Sequence, residues 1–560
     1  MVSDNLQFDV IVIGAGINGA GIARDAAMRG LKVLLVDKGD IGGGTSSWST
    51  RLIHGGLRYL EHGELSLVRE SLRERSRLLN ICPHLVRPLP LLMPVYEKAR
   101  RGWWTIRAGM IAYDVLAFNR SLTNKRLPGH RMLSLAETLQ QAPALCREGL
   151  GGAAIYFDAQ VEFAERLVLE NVLSAVEHGA NLLTYTRVEK LISENGAVRG
   201  VEFICEEAPP GSTVRDNSEV APQRAYADIV INAAGPWVDQ VLSGGHSPAE
   251  RLIGGTKGSH LIVAPFIGAP TTAIYVEAET DGRPFFIIPW NSKYLIGTTD
   301  IRYEGDPDDV QIAGGEIDYL LRETNRVFPI ARLSREHILY TYSGVRPLPF
   351  TGDRDEQSIT RRHFIRADPT LSGLFSIVGG KLTTYRSLAE ETVGVILKRR
   401  PTHVDSSGGL EGMTARQPLP GAATTDFDAF CANFKQHSGL PEATSDRLLR
   451  IYGTRASLLL NLIAEEESLA TVCDSETGAL SAEVVFAFTH EFATTLADCM
   501  LRRTMIGLNS SRGLAALEAV GAIARRYLGW TERRVEDEIA AYRMEVRRFL
   551  RQGEYGEALF

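Results

Sequence analysis

FDVIVIGAGINGAGIARDAAMRGLKVLLVDKGD, residues 8–40, decides the fold class. Val10 to Ile13 form an apolar run that reads as a buried strand, a glycine-rich turn follows, small residues carry a helix to about Gly30, and Val33 to Val36 make a second strand. Together they predict a βαβ unit of a Rossmann-like α/β domain. Gly14 makes the tight turn, Gly16 lets the backbone approach a pyrophosphate, and Gly19 lets the helix lie close to the sheet. The helix N-terminus adds N–H donors and positive potential for the anion. Asp37 ends the second strand eighteen positions after Gly19, where a carboxylate can accept hydrogen bonds from a ribose diol.

That pattern alone does not choose between NAD and FAD. Two later segments repeat its logic and favour FAD. ADIVINAAGPWVDQV (227–241) runs from an apolar stretch into the small-residue turn Ala233, Ala234, Gly235. LFSIVGGKLTTYRSLAEETVGVIL (374–397) is a strand, then Gly379-Gly380-Lys381, then a helix from about Thr383. Three strand-to-glycine turns suit one extended cofactor, and a helix N-terminus beside a flavin would stabilise the negative charge of the reduced ring. The other reading is that the later turns only cap strands of the same sheet.

Composition sets the outer limits. The 560 residues are 44% hydrophobic and 23% charged, enough for two or three cored domains. A net charge of -7 argues against nucleic acid as a partner. The six cysteines have no metal or disulfide spacing, so a reducing compartment is expected. No stretch is apolar for long enough to span a bilayer, and the first motif starts so near Met1 that no transit peptide is expected.

Beyond the nucleotide turns, TSSWSTRLIHGGLRYLEHG (45–63), NAAGPWVDQ (232–240), KGSHLIV (257–263), IGTTDIRYEGDP (296–307), YTYSGVRPL (340–348) and VGGKLTTYRSLAEET (378–392) follow in order. In that order they resemble the FAD-dependent glycerol-3-phosphate dehydrogenase family, densely over residues 8 to 390 and more loosely through RIYGTRASLL and LADCMLRRTMIGL. The resemblance implies oxidation of sn-glycerol 3-phosphate to dihydroxyacetone phosphate, with electrons passed to a membrane quinone. It also implies a discontinuous FAD-binding domain (1–90, 150–255, 340–400), an antiparallel-sheet domain covering the substrate (91–149, 256–339), a linker (401–421) and a C-terminal helical domain (422–560). The cofactor residues it implies are Gly14, Gly16, Gly19, Asp37, Thr45, Ser46, His54, Gly55, Ala234, Gly235, Gly380, Lys381, Leu382 and Thr383.

A glycerol phosphate dianion needs cationic donors, and planar guanidinium forks bind phosphate bidentately. Arg58, Arg346 and Lys381 each stand beside a glycine or small-residue turn, and by resemblance they line the substrate pocket. Tyr59 and Thr383 or Thr384 supply further hydrogen bonds. Oxidation at C2 requires a base for the hydroxyl proton. His260 is the first candidate, kept neutral by a cation such as Lys257, with His54 second and Arg346 stabilising the developing alkoxide. Thr298, Thr299 and Asp300 end a strand of the hairpin Phe285–Pro289 and Tyr294–Gly297, facing the site or capping the turn. Arg51 stands where relatives often have lysine, adding a planar fork.

Residues 97–120 place Lys98, Arg100 and Arg101 ahead of Trp103, Trp104 and a nearly apolar helix, a pattern suited to a membrane surface or to an ordinary buried helix. The expected location is cytoplasmic, peripheral on the inner face of the cell membrane; a homodimer is left open. Thr531 predicts the N-cap of the last long helix, and Arg502 and Arg503 read as a solvated helix face, with docking against the cofactor domain as the alternative. No calcium-loop pattern and no metal site is found. Two other functions share these motifs: a glycerol-3-phosphate oxidase that reduces O2, and a non-catalytic FAD-binding sensor, against which the matched cationic pocket counts.

Overall fold

The computed structural model describes residues 6–60, 63–97, 101–117, 127–205, 222–245, 251–352, 359–399 and 412–550, and the counts below refer to these. The side chain of Arg58, together with Lys98 and Arg100, lies outside the described residues.

The opening motif folds as its pattern predicts. Val10–Ile13, helix Ile17–Met28 and Val33–Val36 make a right-aligned parallel unit, with Val10 opposite Val33 and Ile13 opposite Val36. A six-stranded sheet grows around it in the order Phe364–Ala367, Leu374–Val378, Val230–Asn232, Val10–Ile13, Val33–Val36, Asn181–Leu183. All its pairs are parallel except the outermost first one. Strand alternation then builds two cores. Val10 and Val12 face the helices Ile17–Met28, Ala164–Glu177 and Tyr385–Arg399, while Ile11 and Ile13 face a smaller four-stranded sheet through Val198, Val201 and Phe203. The three glycine turns named above follow three adjacent strands, so they stand side by side along one sheet edge.

A ten-stranded sheet stands over that edge. The hairpin is present as Pro284–Trp290 and Lys293–Gly297, turned by Asn291 and Ser292, whose φ angles of 48° and 58° match the positive pair a two-residue hairpin loop requires. Leu150–Val161 pairs along Val86–Tyr96, and Ile338–Arg346 along Thr256–Val263. The sequence-based division set boundaries near 150 and 340, and both fall at strands of this large sheet. Backbone pairing with distant strands decides their membership.

The C-terminal region is helical, from Phe427–His437 to Glu532–Glu545, and Thr531 caps the last long helix by accepting the Arg534 N–H. The described part of the expected linker is structured. Residues 401–411 lie outside the described set, but Met413–Ala415 and Pro420–Ala422 are short helical turns, and Leu419 is fully buried with its N–H donated to the Ile81 carbonyl.

Candidate active site

A cavity of about 1050 Å³ runs between the glycine edge of the six-stranded sheet and the ten-stranded sheet. At its nucleotide end lie Gly14, Gly16, Asn18 and Asp37. The Asp37 carboxylate accepts the Ala15 N–H at 2.6 Å and the Gly39 N–H at 2.8 Å, and burial raises its pKa against those hydrogen bonds. Ser46 Oγ accepts the Ile17 N–H at 3.0 Å at the start of the helix, and Thr45 donates to the Val345 carbonyl at 2.7 Å. Ala234, Gly235, Gly380, Leu382 and Thr383 also line the cavity, as does His54. Gly19 and Gly55 do not. A Cβ on Gly19 would lie 1.8 Å from the Gly14 carbonyl oxygen, so its place is in the packing of helix against turn.

At the other end, Thr256–Val263 carries His260 and Gly258 on its cavity face. Arg346 comes from the paired strand, and a Cβ on Gly258 would stand 2.1 Å from the guanidinium, so glycine there makes room for it. Arg346 donates to Asp300 Oδ1 at 3.0 Å, to Thr298 Oγ1 at 3.0 Å and to the Thr299 carbonyl at 3.2 Å. Asp300 also accepts from Arg361 at 2.7 Å; burial raises its pKa, and Arg346 and Arg361 outweigh that and hold it below the ordinary carboxylate value. Arg361 Nη1 is buried with no hydrogen-bond partner, and the residue lines the cavity. Sequence reasoning missed this arginine. Its stretch RRHFIR has no glycine turn or strand signal to set it apart, and only Asp300, 61 positions earlier, marks it. Lys381 donates to Ser71 Oγ at 2.8 Å, lies 4.7 Å over the Tyr59 ring, and has its pKa lowered by burial to about 8.

His260 is 1% exposed. Its Nε2 is 2.9 Å from Thr50 Oγ1, and its Nδ1 has no hydrogen-bond partner. Its pKa is driven well below the usual value by burial first, then by Arg346 and Arg51. Lys257, expected to keep it neutral, does not do so. Strand neighbours three positions apart point to opposite faces, and Lys257 is turned away onto Glu316 at 2.7 Å and the Gln311 carbonyl at 2.9 Å. Thr299 likewise donates to Glu316, while Thr298 and Asp300 face the cavity. His54 is held neutral as well, with burial lowering its pKa to about 4, opposed by Asp158 and assisted by Lys381 and Arg75. The Arg51 fork serves a carboxylate: it is fully buried, bonded to both Glu165 oxygens at 2.8 and 2.7 Å.

Residues 9–386 match the FAD dependent oxidoreductase family, and residues 412–535 match the C-terminal domain of alpha-glycerophosphate oxidase. A glycerol-3-phosphate dehydrogenase of Synechocystis sp. is 46% identical over 549 residues, 96% of each chain. The chain belongs to the FAD-dependent glycerol-3-phosphate dehydrogenase family. A D-erythritol 1-phosphate dehydrogenase of Brucella abortus is 38% identical over 504 residues, 89% of this chain and 94% of its own. Among solved structures, the glycerol-3-phosphate dehydrogenase from Bacillus halodurans complexed with FAD superposes with a TM-score of 0.76 at 28% identity, over 97% of this chain and 95% of its own.

FAD is the cofactor of this family member, and the residues present suit it. The helix N-terminus after Gly16 and the Asp37 carboxylate face the cavity, and the buried Asn18 Oδ1 has no partner within the protein. The C-terminal domain also reaches the cavity, through Arg502, Glu538, Tyr542 and Arg548. Arg502 and Arg503, read from sequence as a solvated face, are buried instead. Arg503 binds both oxygens of Asp40 at 2.7 Å, and Arg502 bonds Asp40 and Asp498. Carboxylates that meet a buried guanidinium offset its desolvation, and Asp40 lies just past the strand Val33–Val36, at the cofactor domain's end of this contact.

Proposed function

We propose that this protein oxidises glycerol 3-phosphate to dihydroxyacetone phosphate and passes the electrons to a membrane quinone. One observation carries the reading: Arg346, Arg361 and Lys381 converge on the same cavity as a neutral, buried His260. The cations suit a phosphate dianion. Arg346 and Arg361 each already donate to one oxygen of Asp300, which fixes their orientation before substrate arrives. His260 accepts the C2 hydroxyl proton as the C2–H bond breaks, and Arg346 stabilises the negative charge that gathers on that oxygen. FAD held at the Gly14, Gly16 and Asp37 end of the cavity would supply the hydride acceptor for this oxidation, so that proton and electron pair would both be accounted for. Tyr59 and Thr383 complete the polar lining in this reading.

Quinone as acceptor is supported by the helix Trp103–Ala117, which leaves Trp104 73%, Ile111 48% and Val115 67% exposed on one side. Arg107, also exposed, lies over the Trp104 ring at 5.5 Å. Such a face fits the headgroup layer of an anionic bilayer. Two expectations from sequence change here. Trp103 packs into the core, and Arg101 pairs with Glu277 of the large sheet. No helix among the described residues is long and apolar enough to cross a membrane.

Anaerobic mixing with glycerol 3-phosphate should bleach the flavin absorbance rapidly, and quinone in anionic vesicles should restore it faster than air does. Faster recovery in air would make the protein an oxidase. Faster bleaching by D-erythritol 1-phosphate would move the substrate, and no bleaching by either would sink the reading. Lys381 adds a pH dependence. Its ammonium is charged below about 8 and lost above, so kcat/KM, which follows the free enzyme, should fall as pH rises through about 8. A flat profile to pH 9.5 would remove Lys381 from phosphate binding.

A further inference from the structure

Asp158 lines the cavity wall, and side chains from three separate elements meet at one of its oxygens. Asp158 Oδ1, in the large sheet, accepts from the Tyr113 hydroxyl at 2.7 Å, from the Gly55 N–H at 3.1 Å and from Arg75 Nη1. The Gly55 N–H also reaches the Tyr113 oxygen at 2.9 Å. Tyr113 belongs to the partly exposed apolar helix and Arg75 to the helix Leu65–Ile81, and none of the three is more than 6% exposed. Arg75 is fixed further by the Phe157 carbonyl at 2.8 Å. A Cβ on Gly55 would lie 2.3 Å from the Tyr113 oxygen and 2.5 Å from Leu72, so this approach requires glycine.

A buried carboxylate and guanidinium contribute little net stability over an apolar packing of the same volume. What this cluster does hold is one backbone N–H at the head of the loop that carries His54 and Tyr59 into the cavity. The loop is pinned on its other side by the His54 N–H, which Thr383 Oγ1 accepts at 3.2 Å. We infer that Tyr113 and Asp158 are positioning residues for the oxidation proposed above: they set the depth of the His54–Tyr59 loop against the phosphate ester, and Tyr113 braces that loop on the exposed apolar helix. The inference rests on that functional reading for its substrate, while the pinning itself can be measured separately.

Tyr113→Phe removes the hydroxyl and leaves the ring packing and the Asp158–Arg75 pair in place. The substrate dissociation constant, taken from the concentration dependence of anaerobic bleaching, should rise about fivefold to tenfold, the worth of one buried hydrogen bond. The limiting bleaching rate should stay within about twofold and FAD content should be unchanged. Amide exchange in the 52–60 segment should accelerate, because Gly55 keeps one acceptor in place of two. Asp158→Asn is the second variant and should shift both readouts in the same direction. Unchanged dissociation constants and unchanged exchange in both variants would overturn the inference. So would loss of FAD or of thermal stability in Tyr113→Phe with normal exchange at 52–60, since the cluster would then only support the fold. If the wild-type flavin is not bleached, the functional reading fails, and exchange alone still decides whether Tyr113 pins the loop.

Discussion

Arg346→Ala should slow flavin bleaching by glycerol 3-phosphate by about 30-fold to several-thousand-fold, equivalent to ~2–5 kcal/mol for loss of a buried charge partner. The arginine has no substitute in its position. Among the described residues it alone reaches the Asp300 carboxylate, Thr298 and the Thr299 carbonyl together, and it lies in the space left by Gly258. FAD content should be unchanged, because the nucleotide end of the cavity, with Gly14, Asp37 and Ser46, makes no use of it. Arg346→Lys keeps a charge without the fork and should fall between the two. A rate within about threefold of wild type in a fully flavinated Arg346→Ala protein would exclude Arg346 from the chemistry.

The second large effect is on stability. Asp40→Ala strips two buried guanidinium groups, Arg502 and Arg503, of a shared carboxylate. Breaking a buried pair from one side costs about 3–5 kcal/mol, because the remaining charge stays desolvated. For a domain of this size that corresponds to a fall of roughly 5–15 °C in the unfolding midpoint. The loss should show in the C-terminal helices, whose other ties to the cofactor domain include Arg166 with Glu491 and the Ile451 carbonyl, and Tyr185 with Asp498. A calorimetric scan unchanged to within about 2 °C would mean that the remaining hydrogen bonds and apolar packing carry the docking without Asp40.

Much of the fold is legible because its determinants are local. An apolar run before a glycine turn specifies strand and helix within thirty residues, and the three turns suited to one extended cofactor follow three strands that the structure makes neighbours. The hairpin 284–297 and the Thr531 cap were readable for the same reason. Strand parity separates His260 from Lys257: they are three apart on one strand, so they point to opposite faces, and Lys257 is not available to His260.

Charge partners followed a different rule. Arg51 stands in the most telling motif of the chain and still meets Glu165, 114 positions away. Arg361 is found only through Asp300, and Arg502 and Arg503 only through Asp40, more than 460 positions earlier. An arginine is solvated, paired or aimed at a ligand according to which carboxylate the folded chain brings within about 3 Å, and periodicity carries no such information. The sequence by itself therefore determined the nucleotide edge, the cofactor class and the residue types of the pocket. Only the tertiary structure decided which cations face the cavity and which are spent on joining domains, because that depends on distances between elements far apart in the chain.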